Sequence, residues 1–285
     1  MGPLGKPLGC QTYPYQMVNT PGGTFVHLSF GCPPVVAGLD TNIALNRREL
    51  SDSLAFRHSA PPDTQPFQVQ LTADKSISWD SYLELETRIL QAYQPADPLA
   101  SILNLVLDVC RASSLDQGWS SVGLVIENTE FPKELLVRYL GLVILSLENE
   151  QDLATFDALA VSIEDGETFY SSRFAMNLPA LSAEPPGDGW ILDTYHRYFR
   201  NAVLGKSLLK TTVVARLLAT ACAIALTGFY AQAYGEARGD EPIQLQDLID
   251  AFEIVEVKVA THTRVTEPFF ADLERTFAKV ALISR

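Results

Sequence analysis

Two cysteines stand closest to a chemical role. Cys10 and Cys32 bracket the stretch "QTYPYQMVNTPGGTFVHLSFG", and each lies in polar, proline-punctuated sequence rather than in an apolar run. A thiolate is a soft ligand for zinc or an iron–sulfur cluster, and such sites take four protein ligands. Cys110 and Cys222 sit in apolar helical patterns and read as small core residues. Four cysteines spread over 285 residues make no disulfide framework. Residue chemistry alone leaves two readings of Cys10 and Cys32 open: ordinary thiols, or half of a metal site.

Other chemistry is sparse. The histidines, His27, His58, His196 and His262, lie far apart. His196, in "DTYHRYF", can meet Asp193 or Tyr195 on a helix surface, and His262 can interact with a helix C-terminal dipole. The carboxylate pairs Glu84/Glu86 and Asp247/Asp250 have polar neighbours on helical patterns and read as solvated surface. No glycine-rich phosphate loop, H-E-x-x-H, C-x-x-C or G-x-S-x-G pattern occurs.

The net charge of −13 and pI near 4.7 argue against a nucleic-acid partner, because phosphate contact needs a basic surface. Arg47–Arg48 and the Lys206/Lys210 pair are the nearest to basic clusters. "MGPLGKPLGC" has no apolar core preceded by positive charge, so no secretory signal is read and a reducing cytoplasm is expected. Leu217–Gly235 carries no charge, yet its wealth of Ala, Thr and Gly points to a buried central helix and no membrane span.

The elements that must position these residues fall into two parts. Around "NTPGG", the runs "CQTYPYQMV" and "TFVHLSF" predict a β-hairpin, and "FQVQLTAD" alternates like one further strand. From Ser78 the pattern turns helical. "SWDSYLELETRILQAY" has helical spacing, and Asp97–Pro98 supplies an N-cap and first-turn proline for "LASILNLVLDVCRA". Helices are expected in "FPKELLVRYLGLVILSLEN" and "EQDLATFDALAVSIEDG", then a loop from Leu178 to Gly189. "WILDTYHRYFRNAVLGKSLL", Thr211–Tyr234, "LQDLIDAFEIVEVKVATHTR" and "EPFFADLERTFAKVALI" complete the helices. The fold class is therefore mainly α, an irregular multi-helix bundle with a small N-terminal β-hairpin element. Residues 1–35 form the cysteine-bearing element and 36–285 the helical body.

"KPLGCQTYPY" resembles the end of the cysteine-cluster motif of the zinc- or iron-chelating family labelled YkgJ-like, with Lys6, Pro7, Cys10, Tyr13 and Pro14 in the matching places. "LSFGCPPVVAGL" is similar to the corresponding segment of the flagellin lysine-N-methylase branch, where Cys32 and Pro33 align. The resemblance implies that Cys10 and Cys32 are metal ligands, holding an iron–sulfur cluster or zinc. It also implies S-adenosylmethionine-dependent methyl transfer to lysines of a protein substrate such as flagellin. The family carries further cysteines, including an adjacent pair, ahead of these two. Those ligands are expected to precede Met1 in an N-terminally shortened chain. A hairpin without its metal is expected to pack less well than the helices, since metal binding is folding energy in such elements. The alternative is a metal-free helical scaffold that offers a groove between helices to a partner protein.

Overall fold

The computed structural model describes residues 14–38, 67–114, 119, 122, 133–137, 140–141, 143–144, 165, 167–171, 174–178, 187–239, 242–256 and 263–283. Cys10, His58, His262 and most of the two helices expected between 131 and 166 lie outside them. The architecture is a mainly helical, irregular bundle with a small N-terminal antiparallel hairpin, as the sequence leads one to expect.

Strands β1 (Tyr15–Thr20) and β2 (Gly23–Leu28) pair with Gln16 opposite His27 and Val18 opposite Phe25. Pro21 and Gly22 make the turn, and Gly23 takes a φ of 116° that an L side chain avoids. A four-residue helix, α1 (Pro33–Val36), follows with Cys32 at its N-cap. The next hairpin, β3 (Gln68–Thr72) and β4 (Lys75–Ser78), buries Val69, Leu71 and Ile77 while the alternate residues face outward. Only its first strand is visible as an alternating pattern in the sequence.

Helix α2 (Trp79–Ala92) starts where Ser78 Oγ accepts from the Ser81 N–H at 3.2 Å. Helix α3 (Pro98–Ser114) starts as expected, with Asp97 Oδ1 accepting from the Ala100 N–H at 3.1 Å. A small hairpin, β5 (Phe169–Ser171) with β6 (Met176–Leu178), precedes α4 (Gly189–Leu204). The continuous helix expected across 190–209 is instead broken at Gly205. Lys206 adopts a left-handed φ of 61°, and residues Ser207–Lys210 form a 3-10 turn.

Helix α5 (Val213–Ala237), capped by Thr212, is the axis of the body and packs against α3, α6 (Leu245–Ile254) and α7 (Thr263–Ile283). It is long and apolar enough to cross a membrane, and 89% of its most apolar window is buried inside the fold. One carboxylate ties three elements together: Glu274 on α7 accepts from the Ala73 N–H at 2.6 Å and from the Thr212 hydroxyl.

Candidate functional site

The polar chemistry of the fold collects in the seam between the β1–β2 hairpin and the helical body. Alternation along β2 turns Phe25, His27 and Ser29 toward the body, where Asn201, Arg197 and Gly205 meet the hairpin and the α1 turn that follows it. Asn201 on α4 accepts from the Leu28 N–H at 2.9 Å and donates to the Leu28 carbonyl at 2.8 Å, taking the place a neighbouring strand would fill. Arg197 donates to the carbonyls of Val35 (3.0 Å) and Val36 (2.8 Å) at the end of α1. Its planar guanidinium suits this fork, and Thr194 Oγ1 takes a third N–H at 2.9 Å. Finally, β2 presses against Gly205, where an added Cβ would lie 2.2 Å from His27 Cβ. The strands are only partly buried, as against the near-complete burial of α5.

At one end of the seam lies a buried ion pair. Lys206, 3% exposed, reaches across to Glu86 on α2 at 2.5 Å. Three rings close over the ammonium, with centroids at 4.5 Å for Phe25, 5.7 Å for Tyr82 and 5.8 Å for Trp79. Such faces attract a cation, most strongly when it is desolvated. Burial, and then the Glu86 charge, pushes the Tyr82 phenol far above its ordinary value.

At the other end Glu256, just beyond α6, accepts from Ser29 Oγ and from the Tyr198 hydroxyl, each at 3.0 Å. Phe30 packs edge-on to Tyr198 with ring centroids 5.0 Å apart, walling this end with aromatic surface. Burial raises the Glu256 pKa; the two hydrogen bonds and the charges of Arg216 and Lys210 oppose it. Lys210 donates to Gln16 Oε1 on β1. Its side chain as a whole is exposed, yet partial desolvation of its amine, followed by repulsion from Arg216, brings its pKa down to about 8.

Between the two ends sits His27, whose pKa is brought down to about 3 by burial first, then by Lys210 and Arg216. A histidine neutral in the folded chain but protonated when unfolded stabilises the fold above its ordinary value of 6.5. That contribution is lost as pH falls from 6.5 toward 3. Glu256 has the opposite sign: its raised pKa favours the protonated form, so its contribution declines as pH rises above 4.5. Urea midpoints of the wild type are therefore expected to fall between pH 7 and 4.5 more steeply than those of His27→Gln. The difference in stability should grow to about 2.5 kcal/mol by pH 4.5. Parallel slopes would show that His27 is not held neutral.

The carboxylate pairs read as surface each split in the fold. Glu84 is exposed, but Glu86 shares the buried face of α2 with Tyr82, Leu85 and Ile89. Asp250 remains partly exposed, whereas Asp247 is 2% exposed, bonded to Arg238 and to the Gln244 N–H at 2.7 Å. A carboxylate two or three residues from a solvated one looks alike in sequence; only its place on the apolar face separates them. His196 stacks on Tyr93 with centroids 5.6 Å apart, and burial, then Arg200, lowers its pKa against the opposing Asp193.

Cys32 is partly buried against the hydrophobic core, at the N-cap of α1. Among the described residues, no three His, Cys, Asp or Glu side chains come together in a grouping that could hold a metal ion. This overturns the expectation of an iron–sulfur cluster or zinc: Cys32 packs against apolar side chains rather than beside further donors. S-adenosylmethionine, implied by the same resemblance, falls with it. Cys110 and Cys222 are core residues; burial lifts the Cys110 thiol to about 12 and the Cys222 thiol further. Because the thiolate is the reactive form, iodoacetamide at pH 8 is expected to label Cys110 and Cys222 only after denaturation. Mass mapping of the native protein checks this, and early labelling at either site would contradict their burial. Compared with known proteins, the chain matches no family model, no curated protein and no solved structure.

Proposed function

We propose that the chain is a metal-free helical scaffold that takes up an extended segment of a partner protein along the outer edge of β1. The observation that carries this reading is the way the body closes one edge of the hairpin. The Pro14 carbonyl accepts from the Ser29 N–H at 2.8 Å, so in this register residues 16 and 18 bond to β2. Met17 and Asn19 then turn their backbone groups away from β2, as Leu28 does on the opposite strand. Leu28 meets the Asn201 amide; among the described residues no strand lies against β1 on its outer side. An open edge held rigidly on a helical body suits strand addition, where main-chain bonds give affinity and alternate side chains give specificity. With a net charge of −13, the favoured segment carries lysine or arginine at its outward positions.

Peptides selected from a displayed random library on the full chain test this. They are expected to be basic, to protect the Met17 and Asn19 amides from hydrogen exchange, and to bind Met17→Pro at least about tenfold more weakly. That substitution removes an outward N–H while sparing the bonds to β2. Binders indifferent to Met17→Pro, or leaving both amides unprotected, would end the strand-addition reading. Stoichiometric iron or zinc in the purified protein would end the metal-free one.

A further inference from the structure

The hairpin edge that the body leaves open has a charged group set beside it. That charge is not the ribbon's own: neither Tyr15–Thr20 nor Gly23–Leu28 contains Asp, Glu, Lys or Arg. Strand edges kept from pairing carry a charge, a proline or a bulge; β1 has none of these within it and pairs with β2 in unbroken register. The body supplies the charge instead. Gly205, at the end of α4, backs onto His27 of β2, and five residues later Lys210 donates to Gln16 Oε1 on β1. His27 and Gln16 are cross-strand partners, so the 3-10 turn crosses beneath the hairpin from its closed strand to its open one. Asn201 occupies the β2 edge, and the exposed side chain of Lys210 lies at the β1 side.

Pairing geometry says which residue of an added strand meets that amine. Gln16 and Val18 spend their backbone groups on β2, whereas Met17 turns its own outward. An antiparallel strand that bonds to Met17 therefore faces Gln16 in a non-hydrogen-bonded pair. Such pairs are the closer kind, with Cα atoms about 4.5 Å apart, and their side chains interact most directly. The side chain opposite Gln16 points, as Gln16 does, toward the body. Lys210 Nζ carries three N–H groups, and among the described residues it has a hydrogen bond to Gln16 but no ion-pair partner. A carboxylate opposite Gln16 can take one of those N–H groups and accept from Gln16 Nε2 as well. An amide of the same size brings no charge, and a lysine there meets like charge.

We propose that Lys210 selects the strand that β1 takes up: an antiparallel protein segment with glutamate or aspartate opposite Gln16. This deepens the strand-addition reading and rests on it. Lysine or arginine at the outward positions answers the overall charge of −13, while the single acid fixes the register. A slip of one residue would turn its side chain away from the body, and a slip of two would carry it away from Gln16 and the amine.

Peptides recovered from the displayed library that lose affinity on Met17→Pro are the probes. Cross-strand proton contacts in the complex locate the peptide residue opposite Gln16, which is then set in turn to Glu, Gln and Lys. On the full chain at low ionic strength, Glu is expected to bind about threefold more tightly than Gln, and Gln about threefold more tightly than Lys. That is the scale of an exposed ion pair. Lys210→Met, on an exposed side chain, should remove the advantage of Glu. Lys210→Glu should reverse the order while peptide binding still protects the Met17 and Asn19 amides from exchange. No advantage of Glu in the wild type, one that survives Lys210→Met, or an order that Lys210→Glu leaves unreversed would each overturn the selection and leave strand addition standing. If no recovered peptide depends on Met17, strand addition fails and the selection falls with it.

Discussion

Replacing Glu86 by leucine is expected to cost about 3–5 kcal/mol of unfolding free energy, because it strands the Lys206 ammonium beneath Phe25, Trp79 and Tyr82. Lys206→Met alone should cost a similar amount by stranding the carboxylate. The informative variant is the double one. Desolvating two charges nearly cancels their mutual attraction, so methionine with leucine in the same space should lie within about 2 kcal/mol of the wild type. Urea denaturation of the four proteins gives the coupling directly. If the two single losses simply add, the pair is not the unit described above.

One methyl group at Gly205 should be comparably damaging. Its backbone is ordinary, with a φ of −77°, so alanine incurs no conformational strain there. The penalty is space: the new Cβ would stand 2.2 Å from His27 Cβ and 2.8 Å from His27 Cα. Neither atom can swing aside as the end of a flexible side chain would. Either β2 lifts from α4, losing the Asn201 contacts, or the end of α4 is forced out. A loss of at least about 3 kcal/mol is expected. Gly23→Ala is the matched control, since that residue has a φ of 116° and open space around it. It should cost about 1–3 kcal/mol, all of it backbone strain. Should Gly205→Ala prove as mild as Gly23→Ala, the close approach of hairpin and helix is not a constraint.

The features readable from the sequence are those set by near neighbours. Asp97–Pro98 announces α3 because a cap acts within three residues, and the "NTPGG" turn announces the first hairpin for a like reason. The break at Gly205–Lys206 escaped because a lone glycine in an apolar helical pattern is common, and what forces the turn is a strand from the other end of the chain. The β5–β6 hairpin is too short, at three residues a strand, to show alternation. The site was the least legible part. Lys206 and Glu86 are 120 residues apart, and Ser29 and Glu256 are 227 apart, so no spacing rule connects them. One local signal was available: Glu86 occupies the same helical stripe as Tyr82, Leu85 and Ile89, and a carboxylate on an apolar stripe asks for a cation. The cysteines drew attention by type, whereas the fold gathers its polar groups around a histidine and a serine that carry no motif.

The fasteners of the first hairpin also impose a schedule. Asn201 follows Leu28 by 173 residues, and Glu256 follows Ser29 by 227. At about 5–20 residues per second of synthesis, the ribbon must wait roughly 10–45 s before its anchors emerge from the ribosome. Throughout that interval its backbone edges are open on both sides, and Leu28 has no amide to receive it. The nascent chain is thus most vulnerable to mispairing at the end made first, and slowing translation of the last third would prolong that exposure.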